Sequence, residues 1–317
     1  MAKANRSRDH HWWPVALQSY WCDDTGNLSW ITPDGVVDKK KSANRKIGFK
    51  AHGHTLFRGH PWGQTNFESE FDVDNEIHRV VELLSNLRPS GEPRSRLETW
   101  LRSWLKKDRD LSESVAVHHI PDKSVRTILL LVFSLLIRAP SNRWKYENFP
   151  AQFGLPVDEN VGKANMRQSY MIAKKLCLEG VTTNRAFVIL HSDHKQFICG
   201  DGYLDLMTGS LQANRVNGRA LLPLTPNACL YVCTPMSMRT DRNCYSLRAP
   251  PWLVDRMNEV TQVYSRDRLF FLGKKPRILP DFQAKKFLQY TDLDIDLIRH
   301  LDEIAQPKSR WSLVPFA

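Results

Sequence analysis

Hydrophobic positions along the 317-residue chain change their spacing from alternating to helical and back again. Near the start, Leu28 and Trp30 alternate with polar residues, and Val36 and Val37 follow the sequence Pro33-Asp34-Gly35. An Asp-Gly pair favours the tight turn that joins two antiparallel strands. The pattern therefore predicts a β-hairpin, within a region of strands at residues 8–60.

Helical spacing marks the middle of the chain, residues 70–180. Apolar residues recur at intervals of three and four from Ile77 to Leu87, as on one buried helix face. A second helix is predicted after RPSGEP, because Ser95 and Glu98 have the spacing of a capping box. Its apolar positions are Leu97, Trp100, Leu101, Trp104 and Leu105.

Two further helices complete this middle region. One contains the longest apolar run, ILLLVFSLLI at 128–137, and Pro140 ends it. Ten residues are too few to cross about 30 Å of hydrocarbon as a helix. We therefore expect a buried helix there and no membrane partner. The other helix is predicted at 163–178.

Strand-forming residues return in the last part of the chain, 185–317. The runs AFVILH, KQFIC and ACLYVCT are rich in β-branched and aromatic residues. Ser-Asp-His at 192–194 lies between the first two runs and predicts a hairpin turn. Helices are expected near 250–264 and 293–305.

The fold class that follows is α+β. It comprises N-terminal hairpin strands, a central helical region and a mostly antiparallel sheet with C-terminal helices. Because no low-complexity linker interrupts the chain, residues 1–317 are predicted to form a single large domain.

The charge balance narrows the choice of partners. Lys and Arg number 45 against 34 Asp and Glu, which gives a net charge of +11. Such an excess favours polyanions such as nucleic acid, and it leaves a protein partner open. The six cysteines form no Cys-x-x-Cys pair, and no apolar stretch follows the basic N-terminus. Reduced thiols and a cytoplasmic location are therefore expected.

The segment 265–287 concentrates this positive charge. Phenylalanines lie between its basic residues, as in surfaces that bind single-stranded nucleic acid by neutralisation and stacking. The alternative is a surface strand pair whose phenylalanines point inward. The candidate nucleic-acid-binding residues are Arg266, Arg268, Lys274, Lys275, Arg277, Lys285 and Lys286.

Three polar residues are candidates for catalysis, each with a structural alternative. His11, beside two tryptophans and a proline, suits a general base or metal ligand, or it satisfies buried backbone groups. Arg138 closes the apolar helix, where it either complements the helix dipole or binds an anion. Asp201 lies between two glycines, as a site carboxylate or as a turn residue.

Metal-binding motifs are weak in this sequence. Its histidine pairs, such as His52-x-His54, match no zinc spacing, so structural zinc is disfavoured and the cofactor is unknown. An acidic run leaves Mg²⁺ open, although acidic residues also favour a helix N-terminus. The run consists of Glu68, Glu70, Asp72, Asp74 and Glu76.

Four short motifs together resemble a mostly bacterial family known as domain of unknown function 4238. They are His11 to Pro14, Arg138 to Pro140, Phe197 to Asp201, and Pro223 to Pro226. The chain has Tyr203 where the family often has proline, and Leu17 lies one position nearer to Pro14 than is usual. The resemblance implies no settled reaction, but it implies that His11, Arg138 and Asp201 share a pocket.

Two functions from different classes follow. The first is a nuclease or other phosphodiester hydrolase, with His11 as general base or ligand, Arg138 stabilising negative charge and Asp201 orienting or binding a cation. By analogy alone, such a bacterial enzyme would act in defence against phage. The second is a non-catalytic nucleic-acid- or protein-binding module, or a sensor subunit of a larger assembly. In that case the three residues form a buried polar network.

Overall fold

The α+β prediction is confirmed by the computed structural model of the protein. It describes residues 9–41, 47–57, 64–105, 111, 114–180, 185–234, 243–289 and 295–305. Strands come first, helices fill the middle, and a mostly antiparallel sheet with C-terminal helices follows.

Short strands form the N-terminal part. The predicted hairpin is present as β2 (Asn27–Ile31) and β3 (Val37–Lys41). β1 (Asp9–His11) pairs with β4 (Phe49–Ala51), so that His10 lies opposite Lys50. β5 (Thr55–Phe57) pairs with β6 (Gln64–Asn66), and the short α1 (Val15–Gln18) follows β1.

The four predicted helices of the middle region are confirmed as α2 (Ile77–Asn86), α3 (Arg96–Trp104), α4 (Asp122–Arg138) and α6 (Glu159–Leu178). A further helix that was not predicted, α5 (Pro140–Asn148), follows α4. The Glu98 backbone N–H donates to the Ser95 hydroxyl at 3.1 Å, which is the N-cap hydrogen bond of the predicted capping box. Most of α4 is buried, and Pro140 begins the next helix.

A six-stranded sheet forms the later part, in the order β10-β11-β12-β8-β13-β7. Its neighbours are antiparallel except for β8 and β13. The strands are β7 (Val115–His118), β8 (Ala186–His191), β10 (Leu204–Asp205), β11 (Arg219–Thr225), β12 (Ala228–Cys233) and β13 (Cys244–Arg248). Three helices come after β13 in the chain, namely α7 (Pro251–Val263), α8 (Pro280–Gln283) and α9 (Ile295–Ala305).

The hairpin predicted across residues 192–194 is wrong. β8 pairs with β12 and β13, whereas β9 (Cys199–Gly200) joins a separate sheet of order β3-β2-β14-β9, with β14 at Leu269–Phe271. Every residue of β8 is buried, so this strand needs neighbours on both edges and cover on both faces. Its position between β12 and β13 inside the six-stranded sheet provides both neighbours.

The aromatic stretch after the two N-terminal histidines is part of the core. Trp13 is fully buried, and its ring centroid lies 4.4 Å from that of Phe270 on β14. Trp21 is also buried, and its indole N–H donates to the Leu224 carbonyl at 3.1 Å. Together these contacts attach the N-terminal segment to both larger sheets.

No single helix in the described residues is long and apolar enough to span a membrane. One pair of helices, Asp122–Arg138 with Pro140–Phe153, reaches that length and composition together but is bent by 59°. All six cysteines are free thiols, and only Cys22 is not buried.

Candidate functional site

Two buried histidines meet where β1 pairs with β4. His52 adopts a φ of 53°, a conformation that reverses the chain after β4. The His54 backbone N–H consequently donates to Nδ1 of His10 at 2.6 Å. The two imidazole rings stack with centroids 5.2 Å apart and planes inclined by 7°. Both side chains are fully buried.

Glu68 completes a group of metal-ligand type. Its carboxylate contacts Nδ1 of His54, and its backbone N–H donates to Oδ1 of Asn66 at 2.9 Å. The amide nitrogen of Asn66 lies 3.2 Å from Nε2 of His10. His10, His54 and Glu68 thus offer ligand atoms that all lie within 4.8 Å of one another. Two imidazoles and one carboxylate form a ligand set of catalytic zinc sites.

Burial controls the protonation of this group. It lowers the pKa of His54 well below its usual value, and the nearby positive charges of Arg143 and Arg138 lower it further. It raises the pKa of Glu68, which the charge of Arg138 opposes. Nε2 of His54 has no hydrogen-bond partner among the described residues. The neutral imidazole therefore has a nitrogen lone pair that can bind a metal or accept a proton.

Arg143, on α5, adds a buried positive charge beside these groups. Only 5% of its surface is exposed, and neither Nη atom has a hydrogen-bond partner in the described part of the chain. Both nitrogens lie against Gly53, where a Cβ would come within 2.9 Å of each. Burial lowers the pKa of Arg143, with Glu147, Glu159 and Glu68 opposing. A buried guanidinium with unused donors is suited to an anionic ligand.

Arg138 has its donors occupied by protein groups. Its Nη atoms bind both carboxylate oxygens of Asp74, at 2.9 and 2.7 Å. The same guanidinium donates to the Ser134 carbonyl and hydroxyl, and to the His11 carbonyl at 3.3 Å. Burial disfavours the charged form, yet the attraction of Asp74 leaves the pKa of Arg138 raised. This network fixes the backbone of β1 to α4.

His11 belongs to the Arg138 network through its backbone, whereas Asp201 binds the backbone of Arg266 and Asp267. The His11 backbone contacts both Arg138 and Glu68. Its carbonyl accepts from the Arg138 guanidinium, and a hydrogen bond from its backbone amide favours the charged form of Glu68 and so lowers the pKa of that carboxyl group. Asp201 is buried and accepts from the backbone amides of Arg266 at 2.9 Å and Asp267 at 3.1 Å. Of the three predicted residues, the structure therefore joins His11 to Arg138, while Asp201 binds the start of the basic segment.

Each carboxylate of the acidic run has a separate partner, which is the neutral imidazole of His54 for Glu68 and a cationic side chain for the other four. These contacts connect the run to the strands and helices around it, and α2 begins directly after it. The pairs are Glu68 with His54, Glu70 with Arg167, Asp72 with Lys174, Asp74 with Arg138 and Glu76 with Arg79. These contacts hold the segment that precedes α2 against its neighbours.

The basic segment 265–287 is partly neutralised. Arg266 pairs with Asp267, Lys285 pairs with Asp34, and Lys275 donates to the Gly35 carbonyl. Lys274, Arg277 and Lys286 are exposed. Three of the segment's phenylalanines are unavailable for stacking, because Phe270, Phe271 and Phe282 are buried. The fourth, Phe287, is half-buried, and the guanidinium of Arg266 lies 4.7 Å from its ring centroid. Arg268 likewise lies over the ring of Trp30.

Sequence reasoning did not bring His10, His54, Glu68 and Arg143 together in one group, although it named His54 and Glu68 among weak metal-binding patterns and Arg143 as a possible anion-binding residue near Arg138. The pair His52-x-His54 and the acidic run were visible signals, but His10, His54 and Glu68 are far apart in sequence. No ligand-spacing motif covers such separations, and the pairing of β1 with β4 brings the groups together.

No known protein family, curated protein or solved structure matches this chain. The resemblance to the family of unknown function therefore stays a prediction.

Asp201 gives the protein a testable pH dependence. Burial raises its pKa from 3.8 to about 6, although backbone amides favour the charged form. A raised pKa in the folded state stabilises the fold below the unfolded value, and that stability is lost as pH rises through the folded value. The stability of the wild type minus that of Asp201→Asn should therefore fall between pH 4 and 7, by at most about 3 kcal/mol. Urea unfolding at both pH values measures it, and a rising difference would contradict the prediction.

Proposed function

We propose that this protein is a metal-dependent phosphodiester hydrolase that acts on nucleic acid. The observation that carries the proposal is that ligand atoms of His10, His54 and Glu68 lie within 4.8 Å of one another, beside Arg143, whose two Nη atoms have no hydrogen-bond partner among the described residues. The net charge of +11 supports a polyanionic substrate. Glu68, whose side chain is 31% exposed, is the member of the group that solvent reaches.

A divalent ion of the zinc class suits this donor set, and such an ion supplies Lewis acidity and activates water. The protein groups have distinct tasks around it. The Nδ1 lone pair of His10 accepts the His54 backbone N–H, so that a metal held by His10 would replace this hydrogen bond, and the side chain of Asn66 fixes the backbone of Glu68. Arg143 would bind the non-bridging oxygens of a phosphate and stabilise the negative charge that develops on them.

Arg138 and His11 act as positioning residues in this proposal. The pair of Arg138 with Asp74 is buried at the guanidinium, and it also binds the main chain of His11. Since His11 follows His10 on β1, this contact holds the first ligand in place. His11 and Arg138, predicted from the sequence as catalytic residues, are therefore proposed to position His10. Asp201 is proposed to fix the loop ahead of the basic segment.

The test measures metal binding and cleavage in the same preparations. Wild type should bind about one Zn²⁺ per chain by calorimetry and cleave single-stranded RNA or DNA only with metal. His54→Ala should weaken metal binding at least about 10-fold and abolish cleavage. His78→Ala is the matched control, because His78 is an exposed histidine on α2 that contacts Tyr20 outside the group. It should behave as wild type.

Metal binding that His54→Ala leaves unchanged would overturn the assignment of the ligands. Metal binding without cleavage of any nucleic acid would overturn the hydrolase proposal.

A second candidate function is a non-catalytic nucleic-acid-binding module. The exposure of Lys274, Arg277 and Lys286 favours it, because exposed cations bind phosphates without any metal. Salt-dependent binding of nucleic acid that persists in His54→Ala, with no cleavage in either protein, would select this alternative.

A further inference from the structure

Helix α3 is oriented with its apolar face toward solvent. The exposed fractions are 66% for Leu97, 61% for Trp100, 40% for Leu101, 70% for Trp104 and 51% for Leu105. Two tryptophans and three leucines on one side of a short helix are far more than the single apolar residues normally scattered over a surface.

The polar side of α3 faces the rest of the protein. Thr99 and Arg102 are half-buried and line a small cavity together with Asp193 and Arg248. Just before the helix, the Arg94 backbone N–H donates to Asp193 at 3.3 Å, and the Arg94 carbonyl contacts Nε2 of His194 at 2.6 Å. Polar contacts therefore attach α3, and its apolar face does not contribute to the core.

We propose that α3 docks on an anionic lipid surface, with its leucines and tryptophans in the interface. A short amphipathic helix with Trp and Leu on one face and basic residues nearby is the pattern of interfacial helices. The sequence from 94 to 109 contains six basic residues against Glu98 and Asp108. This local charge complements an anionic headgroup layer, which attracts each Lys or Arg near the surface.

Charge favours lipid over a second copy of the chain. A second copy would bring two basic segments together on a protein that already carries a net charge of +11. A protein partner must present a complementary apolar surface, whereas a lipid interface receives the exposed side chains of an interfacial helix directly.

Docking on a surface differs from crossing a membrane. The sequence-based expectation of no membrane partner rests on the length of the apolar run at 128–137, which concerns spanning only. That run is buried in α4, whereas the apolar face of α3 is exposed. The proposal for α3 is independent of the proposed hydrolase activity.

Vesicle flotation with the full-length chain tests the proposal. Wild type should float with phosphatidylcholine vesicles containing about 30% phosphatidylglycerol, at least about 10-fold more than with phosphatidylcholine alone. Trp100→Ser together with Trp104→Ser should reduce flotation at least about 10-fold, since both side chains are exposed and neither supports the core. Trp144→Ser, an exposed tryptophan on α5, is the matched control and should float as wild type.

Two results would overturn the proposal. One is flotation that is absent in the wild type or equal in the double variant, because binding would then not depend on α3. The other is a wild-type dimer in sedimentation velocity without lipid that the double variant dissociates. That result would assign the face to contact between copies.

Discussion

Asp74→Ala should lower the free energy of unfolding by about 3–5 kcal/mol, because it leaves a buried guanidinium without its carboxylate. Arg138 is fully buried, and Asp74 binds it through both Nη atoms. The Asp74 side chain is 29% exposed, so water entering the vacated space offsets only part of the loss for a guanidinium that is itself fully buried. Urea denaturation followed by circular dichroism measures the change.

The matched control for this prediction lies two residues away. Glu76→Ala removes another carboxylate of the same acidic run, but its partner Arg79 is more than half exposed. Such surface pairs contribute about 1 kcal/mol or less. Comparable losses in both variants would contradict the importance of burial at Arg138.

A double variant separates the cost of an unpaired charge from the value of the pair. Asp74→Ala combined with Arg138→Met removes both charges and keeps a long apolar side chain over the ring of Phe71, where the guanidinium now lies. We expect it to be more stable than Asp74→Ala alone, since replacing both ions of a buried pair is often nearly neutral. A double variant that is less stable than the single one would show that Arg138 has a further structural role, such as its bond to the His11 carbonyl.

Local patterns predicted most of the described helices and the strands β2, β3, β8 and β12, because each of these depends on residues close in sequence. The helical spacing of Ile77 to Leu87 and the Ser95–Glu98 capping box are such patterns. The pairing of β8 depends instead on which distant strands cover its two edges, and Ser-Asp-His at 192–194 carries no information about that. The hairpin prediction failed for this reason.

The same distinction applies to the candidate site. Sequence drew attention to His11 and Arg138, and both contribute to the network around the buried histidines. His54 and Glu68 could not be assigned, because their meeting with His10 follows from a strand pairing and a left-handed residue at His52. Nor could spacing show which face of α3 meets solvent, since periodicity predicts an apolar face but not its partner.

Trp13→Ala should destabilise the protein by about 3–5 kcal/mol, as truncation of a buried large aromatic residue leaves a cavity. Trp13 is fully buried, and its ring lies 4.4 Å from Phe270 and 6.3 Å from Trp21. Gly48 packs so closely that a Cβ there would come within 2.9 Å of the Cβ of Trp13. Urea denaturation again measures the loss.

Two further variants at tryptophans make this prediction specific to packing. Trp104→Ala, on the exposed face of α3, should change stability by no more than about 0.5 kcal/mol, as is usual for surface substitutions. Trp13→Phe should cost clearly less than Trp13→Ala, because the indole N–H of Trp13 has no hydrogen-bond partner among the described residues. Only volume is then lost, and the phenyl ring retains contact with Phe270. Equal losses for Phe and Ala would instead indicate that the indole nitrogen has a partner, and that the segment carrying His10 and His11 is held to the core by a polar contact as well as by packing.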